Sequence, residues 1–203
     1  MKIICIGRNY VDHIEELKNE RPTDPVVFLK PDTAILPKQF PFYIPEFSTD
    51  VHYEVELVLK VSKVGKYIDQ KFARNYYNEV GLGIDFTARD LQAQLKAKGL
   101  PWEKAKGFDG SAVLGNFMPI SDYDALQNLD FELHKNEQVV QKGNANHMIW
   151  NFDEIVAYVS QFFTLKTGDL IFTGTPAGVG PVAAGDVLEG FIKNEKQFRL
   201  NIK

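Results

Sequence analysis

Two glutamates one residue apart, Glu54 and Glu56, interrupt a stretch otherwise rich in β-branched residues, VHYEVELVLKV at 51–61. Along an extended strand, side chains at i and i+2 project from one face, about 6–7 Å apart. Carboxylates that close repel one another unless a cation lies between them. A hard divalent ion such as Mg²⁺ does this with a few carboxylates, leaving its other positions to water or ligand. Asp85 adds a further acid, out of place after Gly81, Gly83 and Ile84. Spacing alone leaves a second reading open, because an antiparallel sheet with one wet face carries alternating glutamates without any ion.

His13 and Glu16 lie three residues apart and share a face wherever the segment is helical. A carboxylate beside an imidazole orients it and raises its basicity, as general-base activation of water requires. Asp12, Glu15 and Lys18 crowd the same stretch, so a solvated helix is the competing reading. The segment 173–180, TGTPAGVG, has the glycines that let backbone N–H groups cradle an anion. It lacks the Gly-Lys-Ser/Thr ending of a nucleotide P-loop, and a tight structural turn is the alternative. Lys30 and Lys106 carry no signal alone. His134 is expected at the surface, and His52 and His147 are expected to be structural.

These groups need a scaffold. The 203 residues are 44% hydrophobic and 25% charged, which excludes a disordered, collagenous or coiled-coil chain and predicts one domain over 1–203. A net charge of −4 argues against a nucleic-acid partner. The single cysteine, Cys5, forbids an internal disulfide and a thiolate metal cluster. Neither a secretory signal pattern nor an apolar run of roughly 20 residues is present, so a soluble, cytoplasmic protein without a membrane partner is expected.

The pattern predicts strands at 3–6, 51–61, 79–86, 130–141 (two or three), 169–173, 188–192 and 197–202. Helices are predicted at 10–17, with Asn9 as N-cap, at 90–98, stopped by Gly99-Leu100-Pro101, and at 151–163. Pro31, Pro37, Pro41 and Pro45 exclude regular structure at 31–45, and a glycine-rich loop is expected up to about Asn116. Strands outnumber helices without β-α-β alternation, which predicts a mostly β, α+β fold.

The motifs occur in an order that resembles the fumarylacetoacetate hydrolase family over nearly the whole chain. They are Gly7-Arg8-Asn9-Tyr10 with Asp12-His13, Phe28-Leu29-Lys30-Pro31, His52-Tyr53-Glu54-Val55-Glu56, and Asp85-Phe86-Thr87-Ala88-Arg89-Asp90. Gly99-Leu100-Pro101-Trp102, Lys104-Ala105-Lys106 and Thr173-Gly174-Thr175-Pro176 follow, and the likeness is greatest to the short acylpyruvase and oxaloacetate decarboxylase branch. The resemblance implies a mixed β-roll of the family's C-terminal domain type, a Mg²⁺ or Mn²⁺ ion and a homodimer. It places the metal on Glu54, Glu56 and Asp85. It gives catalytic roles to His13, Glu16 and Lys106, in part on a lid over 10–20, and substrate contacts to Arg8, Lys30, Arg89 and Thr175.

The activity implied is metal-dependent C–C cleavage of a small 2-oxo acid, by acylpyruvate hydrolysis or oxaloacetate decarboxylation to pyruvate. Alternatives are an isomerase or hydratase of 2-hydroxy-dienedioates and a non-catalytic binder of metal or 2-oxo acid. The chain departs from the family at Asn144-Ala145-Asn146-His147, where Ser/Thr-rich text is expected, and at Gly107, where Ser is common in this branch.

Overall fold

The computed structural model describes residues 1–16, 20–122 and 126–203. The fold is mostly β, as expected. Apolar runs buried on both faces make the middle of a six-stranded mixed sheet. Its order is β2 (Val26–Lys30), β1 (Ile3–Gly7), β10 (Leu170–Phe172), β4 (Val55–Val61), β5 (Tyr77–Asp85) and β7 (Ala112–Pro119). β1 and β10 pair in parallel, and the other neighbours are antiparallel.

A four-stranded sheet, β13 (Glu195–Asn201), β12 (Val187–Ile192), β8 (Asp130–Lys135) and β9 (Gln138–Asn144), packs against it. Leu57, Leu59 and Leu82 from one sheet meet Phe131, Leu133 and Leu188 from the other in a shared core. A small sheet of β11 (Gly180–Pro181), β3 (Val51–Tyr53) and β6 (Thr87–Ala88) completes the strands.

The helices are α1 (Val11–Glu16), α2 (Gln70–Ala73), α3 (Arg89–Ala97), α4 (Glu103–Lys106) and α5 (Phe152–Phe162). α5 opens on a capping box in which Asn151 accepts from the N–H groups of Asp153 and Glu154, while the Glu154 carboxylate accepts from Asn151 N–H. Its apolar face, Ile155, Val156 and Val159, joins the core.

Several sequence expectations need correction. The stretch 51–61 is not one strand but breaks at Glu54, with β3 passing into the small sheet and β4 staying in the large one. The expected loop before Asn116 contains α4 and most of β7. Asn9 does not cap α1, since its side chain donates to Trp150 C=O at 3.0 Å and Thr173 C=O at 2.8 Å and accepts from Trp150 N–H at 2.8 Å. Leu17, the predicted end of α1, and part of the expected lid lie outside the described residues. Among the described residues, no helix is long and apolar enough to cross a membrane.

Gly83 on β5 lets strands and rings close up behind the site. A Cβ there would come within 2.6 Å of Val113 C=O and 2.9 Å of the Phe172 ring. Gly83→Ala should therefore destabilise the protein by about 1–3 kcal/mol through overpacking. Urea unfolding should show a lower midpoint at unchanged slope; an unchanged midpoint would mean the strands shift aside without cost.

Candidate active site

The break at Glu54 is what brings the acids together. Asp85 N–H, at the end of β5, donates to Glu54 C=O at 2.8 Å. One pair further into the ladder, Val55 faces Ile84, and Glu56 then faces Gly83. This register, not the local sequence, sets the carboxylates of Glu54, Glu56 and Asp85 side by side, with ligand oxygens all within 4.8 Å of one another. All three residues are at most 5% exposed, so they are not the solvent face of a sheet.

Cations from separate elements interleave with them. Lys106 Nζ, from α4, donates at 2.7 Å to both Glu54 Oε2 and Asp85 Oδ2. Arg89, opening α3, donates to Glu54 Oε1 through Nη2 and to Gln92 Oε1 through Nη1 at 2.8 Å. Burial alone would raise the Glu54 carboxyl, but Lys106 and Arg89 outweigh it and hold the group well below the usual carboxylate range. Burial would likewise lower the Lys106 ammonium, and the charges of Asp85 and Glu54 reverse the direction.

Glu56 is in the opposite position. Its Oε2 accepts from Gly174 N–H at 2.7 Å, yet burial, then the charges of Asp85 and Glu54, push its carboxyl well above its ordinary value. Beneath the acids, Lys30 Nζ lies 2.7 Å from Asp85 Oδ1. The same ammonium also reaches Lys106 C=O, and Ser111 C=O at 3.2 Å and Oγ at 3.0 Å. Three buried carboxylates whose ligand oxygens lie within 4.8 Å of one another, with the Glu56 carboxyl pushed up by its acidic neighbours, suit a hard oxygen-seeking cation such as Mg²⁺ or Mn²⁺.

The carboxylates form the floor of a cleft of about 470 Å³, counting its open mouth. His13, Arg8, Arg89, Lys106 and Thr175 line it with them. Arg8 takes a left-handed φ of 60° directly after β1. Lys30 is buried behind Asp85 and is not among the residues that line the cleft. His13 is 5% exposed, with Nδ1 3.3 Å from Glu16 Oε2. A carboxylate only accepts, so Nδ1 carries the proton and Nε2 the lone pair. Burial lowers the His13 pKa from 6.5, although Glu54 and Glu16 pull it upward.

The glycine-rich loop turns part of its backbone toward the protein's own side chains. Two of its N–H groups serve the protein's own acids, Gly174 N–H on Glu56 and Gly178 N–H on Glu16 Oε1 at 3.0 Å. Sequence reasoning also missed part of the wall. Gln92 and Lys96 follow Arg89 at i+3 and i+7, a helical spacing that was readable once α3 was accepted. Phe28 and Trp102, with ring centroids 6.0 Å apart, form an aromatic side for which spacing gave no signal. His52 Nε2 pairs with Asp50 at 2.9 Å outside the cleft.

The chain belongs to the fumarylacetoacetate (FAA) hydrolase C-terminal family, whose profile matches residues 2–200. It is 43% identical over 189 residues to the mitochondrial oxaloacetate decarboxylase of Dictyostelium discoideum, covering 93% of this chain and 87% of that one. It is 40% identical over 188 residues to the oxaloacetate tautomerase YcgM of Escherichia coli (strain K12), covering 92% and 86%. Among solved structures, the fumarylpyruvate hydrolase of Pseudomonas aeruginosa, in complex with Mn²⁺ and pyruvate, superposes with a TM-score of 0.94 at 33% identity. That match covers 100% of this chain and 89% of the other.

Replacing both Glu54 and Glu56 by Gln removes two of the three carboxylates that could hold a cation. Mn²⁺ affinity should fall by more than the roughly 10–100-fold that outer partners of a metal site are worth. Electron paramagnetic resonance of free Mn²⁺ in a titration reads this directly; wild-type affinity in the double variant would move the ion elsewhere.

Proposed function

We propose that this chain acts as a single catalytic domain that cleaves a C–C bond of a small 2-oxo acid, by hydrolysis of an acylpyruvate or decarboxylation of oxaloacetate. The observation that carries this reading is buried His13, paired with the exposed Glu16, at the mouth of the acid triad, a base beside a candidate cation-binding floor. The name of the Dictyostelium relative and the pyruvate held by the Pseudomonas enzyme support it.

Glu54, Glu56 and Asp85 would hold Mg²⁺ or Mn²⁺, which when bound supplies Lewis-acid polarisation of the 2-oxo acid's oxygens. Arg8 and Arg89 set positive charge on the rim for a substrate carboxylate, and Gln92, which accepts from Arg89 Nη1, helps to orient that guanidinium. In hydrolysis, His13 Nε2 takes a proton from water while Glu16 steadies the imidazolium. The resulting hydroxide adds to the distal carbonyl, the C–C bond breaks, and its electron pair passes into the enolate of pyruvate. Lys106, already held between two carboxylates, donates a hydrogen bond to the oxygen where that charge develops. Loss of CO₂ from oxaloacetate gives the same enolate and needs no water.

A second reading, keto–enol interconversion of oxaloacetate, is favoured by the name of the Escherichia coli relative. The same His13 would then carry a proton between carbon and oxygen. A homodimer in the cytoplasm completes the proposal.

Acetylpyruvate and oxaloacetate, each with Mg²⁺ or with chelator, separate the readings. Metal-dependent pyruvate release supports cleavage; decay of the enol absorbance of oxaloacetate without pyruvate selects the tautomerase. His13→Ala should lower acylpyruvate hydrolysis by about 10²–10⁴-fold, and a full rate in that variant removes His13 from the mechanism. Burial favours the neutral imidazole, so kcat/KM for hydrolysis should be level at neutral pH and fall only below 6.5. An acid limb centred above that value would contradict a buried base.

A further inference from the structure

The split at Glu54 leaves Val55 at the end of β4 with one side, among the described residues, paired with no strand. Toward β5 it faces Ile84. On the other side, β10 pairs only with Val58, Leu59 and Lys60. Thr173 still reaches Leu57 C=O through N–H at 3.1 Å and Oγ1 at 2.9 Å, and Gly174 then turns the chain away at a φ of 102°. Both backbone polar groups of Val55 would be orphaned in a buried place, at a cost no fold leaves unmet.

Side chains take the place of the missing strand. Gln141 Oε1, from β9 of the facing sheet, accepts from Val55 N–H at 2.9 Å. Thr175 Oγ1 donates to Val55 C=O at 2.9 Å. Gln141 Nε2 closes the ring by donating to Thr175 Oγ1 and to Pro176 C=O, each at 2.9 Å. Gln141 is 1% exposed, and its acceptor and both amide protons are used. The loop is pressed against it, since a Cβ on Gly178 would collide with Val140 C=O and come within 3.3 Å of Gln141 Cγ.

Val55 is the residue between the two glutamates, so the tilt of its peptide groups sets where both carboxylates point. The same amide anchors the loop whose Gly174 N–H donates to Glu56. We infer that Gln141 is a positioning residue for cation binding: it clamps the peptide at Val55 and the loop at Thr175 and Pro176, and so fixes the spacing of the Glu54 and Glu56 carboxylates. It touches neither the cation nor the reacting atoms. The inference rests on the divalent-cation reading above.

The test is Mn²⁺ titration of the full chain, read by electron paramagnetic resonance of the free ion, with thermal melting of every variant. Gln141→Met keeps the length of the side chain and removes all of its hydrogen bonds. Thr175→Val keeps the shape and breaks the ring at the hydroxyl. Ile155→Ala, in α5, truncates a buried core residue on an element that adds nothing to the cleft.

Gln141→Met should weaken Mn²⁺ binding by about 10–100-fold, the usual worth of groups that orient metal ligands. Thr175→Val should weaken it in the same direction, whereas Ile155→Ala should melt earlier with wild-type affinity. A folded Gln141→Met protein that binds Mn²⁺ as the wild type does overturns the inference and leaves the cation reading intact. Equal loss in Ile155→Ala overturns it too, because general loosening would then explain the effect. If Gln141→Met does not fold, wild-type affinity in Thr175→Val is the overturning result. A wild-type chain that binds no Mn²⁺ removes the cation reading, and this inference with it.

Discussion

Burying carboxylates close together is costly, and the structure around the cleft is organised by that cost. A lone ion moved into a protein interior loses several kcal/mol of hydration even after relaxation. Here Glu54, Glu56 and Asp85 share one buried floor. Lys106 answers Glu54 and Asp85 together, Arg89 answers Glu54 from the rim, and Lys30 supports Asp85 from behind. Those cations come from α4, α3 and β2, so each of these elements is tied to the acid cluster by charge as well as by apolar contact. The compensation is uneven. Among the described residues, Glu56 meets a backbone N–H and makes no ion pair, and its carboxyl is pushed up by burial and by Asp85 and Glu54.

The acids were legible in the sequence because of where they stand. Glu54, Glu56 and Asp85 interrupt apolar strands, and an acid that a strand must bury needs a partner. The motif order then singled out the functional reading over a wet sheet face. The break at Glu54 was not legible, because VHYEVELVLKV contains no glycine or proline and reads as one continuous strand. Only the tertiary demand of two sheets, β3 in one and β4 in another, splits it.

Glycine misled in the other direction. Gly107, Gly110 and Gly115 suggested a loop up to Asn116, yet Gly115 lies within β7, where a Cβ would come within 2.9 Å of Leu82 C=O and 3.1 Å of Gln197. That glycine marks close approach of two sheets, not absence of structure. The loop at 173–180 shows a related limit. Its glycines do free N–H groups for acids, as chemistry requires, but the acids are the protein's own. Whether a donor faces a ligand or a neighbouring side chain is decided by contacts across the fold, which spacing along the chain does not encode.

The parallel pairing of β1 with β10 joins Ile3 to Leu170, and Asn9 is bonded to Trp150 and Thr173, so segments far apart in sequence meet beneath the cleft. Contacts of such separation form only after long loops have closed, which slows folding. No fragment of the chain assembles the acid cluster alone, because Glu56 waits for Gly174 and Glu54 waits for Lys106. A ligand that recognises the finished cluster therefore binds the native state and ignores its precursors. By mass action it holds the whole fold closed, so in a cell the supply of that ligand also sets how long each copy of the chain survives surveillance of unfolded protein.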